Sequence, residues 1–571
     1  MVRPGNTIQD FGAEMDNRLD PAFDRRIREV LDRYFSRNPE LWPCFAAPGF
    51  RRIAEFRRRR LPPDGRVSAW PEGERLRHEL TTETEIPAGR TMPGGPADAM
   101  LEFAAALSKD WEHPASVENV ITMPCDPAIY GAMMGSLANP NLVYREYSGM
   151  ADEVEKSVTR QIARLVGWDP GRAAGLFTQG GTFCNLYGYL MGIRKSLPES
   201  REHGMGYVHD YRMISSLGGH YSNVTNLSVL GVDIATRTIR IKITDSNDID
   251  LEDLERQLTA CFLLRCAVPT IMLTMGTTDT FGVDRVKPVC EIVDRLVRKY
   301  EVPVRPHIHV DSAIGWTMLF FLGYDFEANE LRINRRTLEG LRRNVERFAE
   351  LRYADSFTVD FQKWGYVPYT SSLVMFRERD DLLHLRNDPE NYCYFERDTQ
   401  GHTHLQSTVE CSRGGVGAFG AYAALKYLGI DGYRTLVAHC LQNANYFRYR
   451  LKQLGFVKVV ATENQGPSVG FRMYDPETVR DPEAEYEYEY RLRDDAEYLE
   501  RVRRNDTWHR QRFLERGKIG LYTNWIEFVA HTDYDERGHV RRLPGEKAVF
   551  MNPATTRADI DLFIEHICRR R

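Results

Sequence analysis

Between about residue 150 and residue 377 the chain alternates helix-like stretches with short β-rich runs such as TIMLTMG and HIHVDSA. That alternation predicts a mostly parallel α/β sheet and narrows the fold more than any other feature. The 571 residues are enough for about three or four domains of ~150 residues. With 42% hydrophobic and 27% charged residues, the composition is that of a globular enzyme and excludes disorder, collagen and fibrous coiled coil. The net charge of −5 lacks the basic footprint of a nucleic-acid binder, which favours a small-molecule partner. The longest apolar stretch, Cys266 to Gly276, contains a proline and is too short for a bilayer, so no membrane partner is expected. The start, MVRPGNTIQDFG, has no apolar targeting core, and the ten cysteines show no disulfide or zinc spacing. These features lead us to expect a reduced, cytoplasmic location.

Three regions surround this pattern. Residues 1–130 are expected to form an N-terminal helical segment, Arg-rich near FRRIAEFRRRR and broken by Pro62-Pro63, with a solvated or dimer-packing surface. A large domain is expected over 131–400. A smaller α+β domain over 401–571 would contain the small-residue helix GGVGAFGAYAALKYLG and the β-rich pieces VKVVA and KAVFMNP. Within it the densely charged stretch 476–516, including EAEYEYEYRLRDD, reads as an exposed helical or partly mobile insertion. No fixed-period repeat is present.

Three motifs carry chemistry. In LFTQGGTFCNLYGYLMGIRKS an apolar run meets Gly180-Gly181-Thr182, after which Phe183, Leu186, Tyr187, Leu190 and Ile193 recur at helical spacing. A strand, glycine turn and helix in that order direct free N–H groups at an anion such as a phosphate, although a plain tight turn has the same pattern. In RPHIHVDSAIG, His309 and Asp311 fall on one face of a strand, with Asp311 near its carboxyl end, where a carboxylate can meet a ligand. His307 with His309, and His402 with His404, lack a convincing third ligand, so no metal is expected. In DSFTVDFQKWGYVPYTSSLVMFR, Lys363 sits beside Phe361, Trp364 and Tyr366; burial among them would lower the amine pKa and favour imine formation. The order of these features, with His220 in HYS and Thr277 in GTT between them, defines a pyridoxal 5'-phosphate site.

The chain resembles the group II pyridoxal-phosphate-dependent amino-acid decarboxylases, and most of all their large bacterial tyrosine decarboxylase-like branch. The likeness rests on DPAIYGAMMGSLANPNLVY, GLFTQGGTFCNLYG, GGHYSNVTNLSVLGV, TMGTTDTFGVD, HVDSA and DSFTVDFQKWGYVPY, with a weaker echo in EFVAHTDY. It implies the type I, aspartate-aminotransferase-like fold, a mostly parallel central sheet with a smaller α+β C-terminal domain, working as a homodimer on an amino-acid substrate. It further implies Lys363 as the Schiff-base lysine, Asp311 as the partner of the pyridine nitrogen, and His220 stacked over the ring, with Ala313 on the opposite face. Gly181 and Thr182, and more faintly Ser412, would hold the phosphate, and Thr277 would lie near the cofactor's polar edge. Tyr366 would line the substrate pocket, and Tyr392 or Tyr394 would protonate Cα from a loop.

Three positions depart from the family pattern. Gln362 stands where the family places histidine before the lysine, and glutamine cannot shuttle a proton. Gln179 and Phe183 flank the glycine turn where Ser and an acidic residue are common. Ala530 replaces a serine of the tyrosine-specific enzymes, which removes a hydroxyl from the substrate site. The reaction implied is decarboxylation of an L-amino acid to a primary amine, aromatic substrates ahead of branched aliphatic ones. Oxidative conversion to an aldehyde and a catalytically silent scaffold are the alternatives.

Overall fold

A computed structural model describes residues 17–59, 67–143, 145–386, 407–517, 519–534 and 540–569. Seven strands form the central sheet: β1 (Ala174–Thr178), β2 (Met213–Ser216), β3 (Thr238–Ile241), β4 (Thr270–Thr274), β5 (His307–Asp311), β6 (Ser356–Asp360) and β7 (Ser372–Phe376). Their order is β1-β7-β6-β5-β4-β2-β3. Only β7 is antiparallel to its neighbours. The sheet is therefore mostly parallel, as the alternation predicts.

Strands β1, β4, β5, β6 and β7 are buried along their whole length. A parallel sheet with both faces covered has no solvent side, and the polar side chains of β5 and β6 bond to one another inside it: His307 and His309 to Ser356, and His309 also to Thr358. The helix Val286–Tyr300 places Val286, Val289, Ile292, Val293 and Leu296 inward, the 3.6-residue stripe of a helix packed on a core. Below the site, Trp316, Phe361, Trp364, Tyr366 and Tyr433 are fully buried in the main core.

Four antiparallel strands make a second sheet, β8 (Val457–Val459), β9 (Ser468–Met473), β10 (Asn524–Tyr534) and β11 (Val540–Val549), in the order β10-β11-β9-β8. Its core gathers Phe447, Phe471, Phe550 and Phe563. The segment Val416–Lys452 is helical on both sides of a break at Gly429, whose φ of +60° and ψ of −173° only glycine adopts readily.

The charged stretch 476–516 is helical over Pro482–Tyr490 and Ala496–Arg516, but one side of it is internal. Glu489 is fully buried and meets Arg472 of β9 through two contacts of 2.7 and 2.8 Å, while Tyr474 donates to the same carboxylate at 2.7 Å. Asn505 donates to both Glu485 and Glu489. The stretch is thus helical and largely exposed as expected, but its inner side is a polar seam, where charges from β9 and from both helices neutralise one another. In the Arg-rich run Arg51, Arg52, Arg58 and Arg59 are exposed, as a solvated surface requires; Arg52 pairs with Glu102, and Arg57 donates to the Ala105 carbonyl at 2.9 Å.

Candidate active site

The turns that follow β1, β2, β4, β5 and β6 open on the carboxyl edge of the parallel strands, where open α/β sheets bind ligands. After β1, Gly180 has a φ of +123° and the helix Gly181–Ser196 begins. Phe183 and Cys184 N–H groups close on the Gly180 carbonyl, and the Gly181 and Thr182 amides precede the intrahelical ladder. A Cβ on Gly181 would lie 2.6 Å from Asp360 Oδ2, so the turn reaches the end of β6 only with glycine.

Lys363 follows β6. Its Nζ lies 3.1 Å from Asp360 Oδ2, with 16% of the lysine side chain exposed and 1% of the aspartate. Ser372 donates to the other oxygen of Asp360 at 2.5 Å. Burial pushes the lysine pKa down, but Asp360 and Asp311 together outweigh it, and the net shift is upward. This reverses the expected direction, because aromatic burial is accompanied by two carboxylates.

Asp311 ends β5. Its Oδ1 accepts the Ala313 N–H at 3.1 Å and its Oδ2 accepts Asn185 Nδ2 at 2.8 Å. His220 follows β2; its Nδ1 accepts the Ser222 N–H at 3.2 Å. Burial lowers the His220 pKa, Asp311 opposes that, and Lys363 reinforces it. The structure therefore brings Lys363, Asp311, His220, Ala313 and the Gly181-Thr182 turn to one edge.

The other expected residues have the following partners. Thr277 closes a turn, accepting the Gly282 N–H at 2.7 Å with Thr280 Oγ1 at 3.1 Å. Gln362 is buried, and its Oε1 accepts the Ser371 N–H at 2.6 Å. Ser412 is exposed and accepts from Asn141 Nδ2 at 3.1 Å. Its neighbour Arg413 is buried against Glu155 at 2.6 Å and the Phe177 carbonyl at 2.9 Å, which fixes this segment beside β1. Tyr366 does not line an open pocket: it is fully buried, edge-on to Phe35, with Cys440 Sγ 3.6 Å from its hydroxyl. A φ of +59° turns its side chain into the core. Ala530 is packed with Tyr474, Tyr498 and Leu543 in an apolar cluster of the second sheet. Tyr392 and Tyr394 lie outside the described residues.

Sequence reasoning missed Asp360 and Asn185. Asp360 stands three residues before the lysine, so its charge was available to weigh. Asn185 is a buried polar residue on the inner face of the helix that starts at the glycine turn, and its helical position relative to Thr182 could have drawn attention. His307 and His309 both bond to Ser356 Oγ at 2.7 Å, His307 through Nε2 and His309 through Nδ1.

Burial lowers the pKa of His309 and of His439 to about 4 from an ordinary 6.5. Below pH 6.5 the unfolded chain takes up protons that these native imidazoles refuse. Their contribution to stability is thus full above pH 6.5 and is lost as pH falls toward 4, by about 3 kcal/mol each at most. The urea midpoint is expected to fall between pH 7 and pH 4.5. A midpoint unchanged over that range would show that these histidines do not stay neutral.

An amine held beside a buried carboxylate, a second carboxylate receiving only neutral donors, and an anion-ready glycine turn on one edge are the donor set that pyridoxal phosphate requires. Residues 102–474 match the family model described as the pyridoxal-dependent decarboxylase conserved domain. The solved structure of mouse CSAD is similar at a TM-score of 0.68 and 17% identity, covering 99% of this chain and 98% of that one. The structure of Oryza sativa TDC with PLP and tryptamine aligns at 0.67 and 16% identity, over 97% and 99% of the two chains. That of Rhodiola rosea 4-hydroxyphenylacetaldehyde synthase aligns at 0.64 and 12%, over 91% and 97%. At such identities the likeness is one of fold, the type I fold of these enzymes. Among the described residues, no helix is long and apolar enough to cross a membrane. With the family model matching well over half its length, the chain belongs to the pyridoxal-dependent decarboxylase family, and is a carboxy-lyase that works with pyridoxal phosphate.

Proposed function

We propose that this enzyme removes the carboxylate of an L-amino acid to give a primary amine and carbon dioxide, aromatic substrates ahead of branched aliphatic ones. The observation that carries the reading is the convergence of Lys363, Asp311 and the Gly181-Thr182 turn on one sheet edge, with His220 coupled electrostatically to the first two. When bound, pyridoxal phosphate supplies an aldehyde that accepts an amine and a ring that accepts the electron pair left by departing carbon dioxide.

In this reading Lys363 Nζ would hold the aldehyde carbon, and Asp360 Oδ2, 3.1 Å away, would orient that amine. Asp311 would face the pyridine nitrogen and favour a proton there. His220 would cover one face of the ring and Ala313 the other. The Gly181 and Thr182 amides and the Thr182 hydroxyl bind the phosphate. Tyr392 and Tyr394 are proposed as proton donors to Cα. We also infer a homodimer: Tyr130, Met134 and Leu137, one helical face at i, i+4 and i+7, are 37%, 36% and 81% exposed, an apolar stripe suited to a second copy.

One observation favours a second outcome, oxidative deamination to an aldehyde. Gln362 occupies the position before the lysine with its oxygen bound to the Ser371 N–H, and a carboxamide does not transfer protons. One fold relative is itself named a 4-hydroxyphenylacetaldehyde synthase. Purified protein with pyridoxal phosphate and single L-amino acids, with molar mass, oxygen and products followed together, separates the two. An amine without oxygen uptake supports the first reading; an aldehyde with oxygen consumption replaces it by the second.

A further inference from the structure

We propose that Asn185, oriented by His309 and Thr358, is a positioning residue that holds the Asp311 carboxylate by hydrogen bonding where it would face the cofactor ring. The proposal rests on the reading of Asp311 just given and extends it to residues behind the carboxylate.

Asn185 is 1% exposed and its carboxamide is fully engaged. Nδ2 donates to Asp311 Oδ2 at 2.8 Å and to Ser222 Oγ at 3.2 Å. Oδ1 accepts from Thr358 Oγ1 at 2.8 Å and lies 3.3 Å from His309 Nε2. The orientation of the amide is forced, since turning it over would place its oxygen against an ionised carboxylate. Because Asn185 Oδ1 only accepts, His309 Nε2 carries the proton, and it also reaches Thr358 Oγ1 at 3.1 Å. His309 Nδ1 must then accept, and takes the Ser356 hydroxyl proton at 2.7 Å. Ser356 Oγ in turn accepts from His307 Nε2 at 2.7 Å. Every donor in the series, from His307 to Asn185, points toward Asp311.

Sheet register and one glycine make this arrangement. Parallel pairing sets Thr358 opposite Asp311 and Ser356 opposite His309. A Cβ on Gly188 would stand 2.4 Å from His309 Cγ, so the helix settles onto β5 only because residue 188 has none. Asn185, three residues earlier on that helix, is thereby carried to the carboxylate. All members of the series are uncharged. They stabilise the carboxylate by hydrogen bonding and leave its full charge for the ring nitrogen, which an arginine or lysine in the place of Asn185 would neutralise.

The test uses holoenzyme loaded with pyridoxal phosphate labelled with nitrogen-15 in the ring. In Asn185→Leu the cofactor remains attached to Lys363, as borohydride reduction and peptide mass show. Its ring nitrogen loses the protonated shift at a lower pH than in the parent. The value of kcat falls between about 10- and 100-fold, the size of a lost hydrogen bond to a charged group, with KM little changed. His309→Gln, which can still present an N–H to Asn185, restores most of the protonated signal that His309→Phe loses. If Asn185→Leu does not fold, Asn185→Ala removes the same amide without crowding, and the same outcomes are read from it. A protonated signal and kcat equal to the parent overturn the proposal. If Asp311→Ala abolishes that signal while the Asn185 variants keep it, only this inference fails. If Asp311→Ala keeps it as well, the assignment of Asp311 fails and takes the inference with it.

Discussion

A Lys363→Ala chain is expected to fold, to bind pyridoxal phosphate only reversibly, and to turn over substrate about 10^4-fold more slowly or worse. Groups that act as one unit lose nearly all of their effect when a single member is removed. The lysine stands in the turn between β6 and β7, at the carboxyl edge of the sheet, with 16% of its side chain exposed. Truncation leaves Asp360 without its cation, with Ser372 Oγ still donating at 2.5 Å. Lys363→Arg is therefore the informative companion: it restores a positive partner to Asp360 but no primary amine. Both variants are expected to yield an unlabelled chain after borohydride treatment and tryptic mass analysis. A label on any other lysine would show that the attachment site had been misassigned.

For Asp311→Ala the expected result is different in kind. The cofactor remains attached through Lys363, but turnover falls by about 10^2- to 10^3-fold, the effect of removing a preorganised electrostatic partner from a low-dielectric site. A second readout is independent of turnover. Asp311 raises the His220 pKa against the lowering by burial and by Lys363, so its removal should move the His220 titration to lower pH in an NMR experiment. Near-parental turnover with an unmoved His220 titration would remove Asp311 from the site.

Much of the framework was legible because its signals are local. TIMLTMG and HIHVDSA became β4 and β5, VKVVA became β8, and KAVFMNP ends β11. The Gly180-Gly181 turn begins its helix where the periodicity placed it. What escaped depends on partners distant in sequence. The inner side of the charged tract was missed because the cation that buries Glu489 is Arg472, on a strand outside the tract. Tyr366 looked like a pocket residue because it follows the lysine closely, whereas its positive φ, which sequence does not reveal, turns the ring inward. The direction of the lysine pKa shift was misjudged from its aromatic neighbours, since the competing charge of Asp311 arrives from another strand. Asn185 gives no motif of its own; its meaning comes from the β5 and β6 register behind it.

The place of β7 in the sheet also governs how the enzyme is made. β1 touches the rest of the sheet only through β7, a strand translated from residue 372 onward, whereas β1 is complete at residue 178. On a ribosome moving at about 5–20 residues per second, that interval lasts roughly 10–40 s. Throughout it Leu176 and Phe177 have no sheet partner, and the phosphate turn that follows them has nothing to hold it against the lysine segment. The newborn chain thus carries an unpaired apolar strand for much of its synthesis, the kind of edge that chaperones shield and that aggregation exploits. Vitamin B6 added before β7 is translated would find no assembled site to bind.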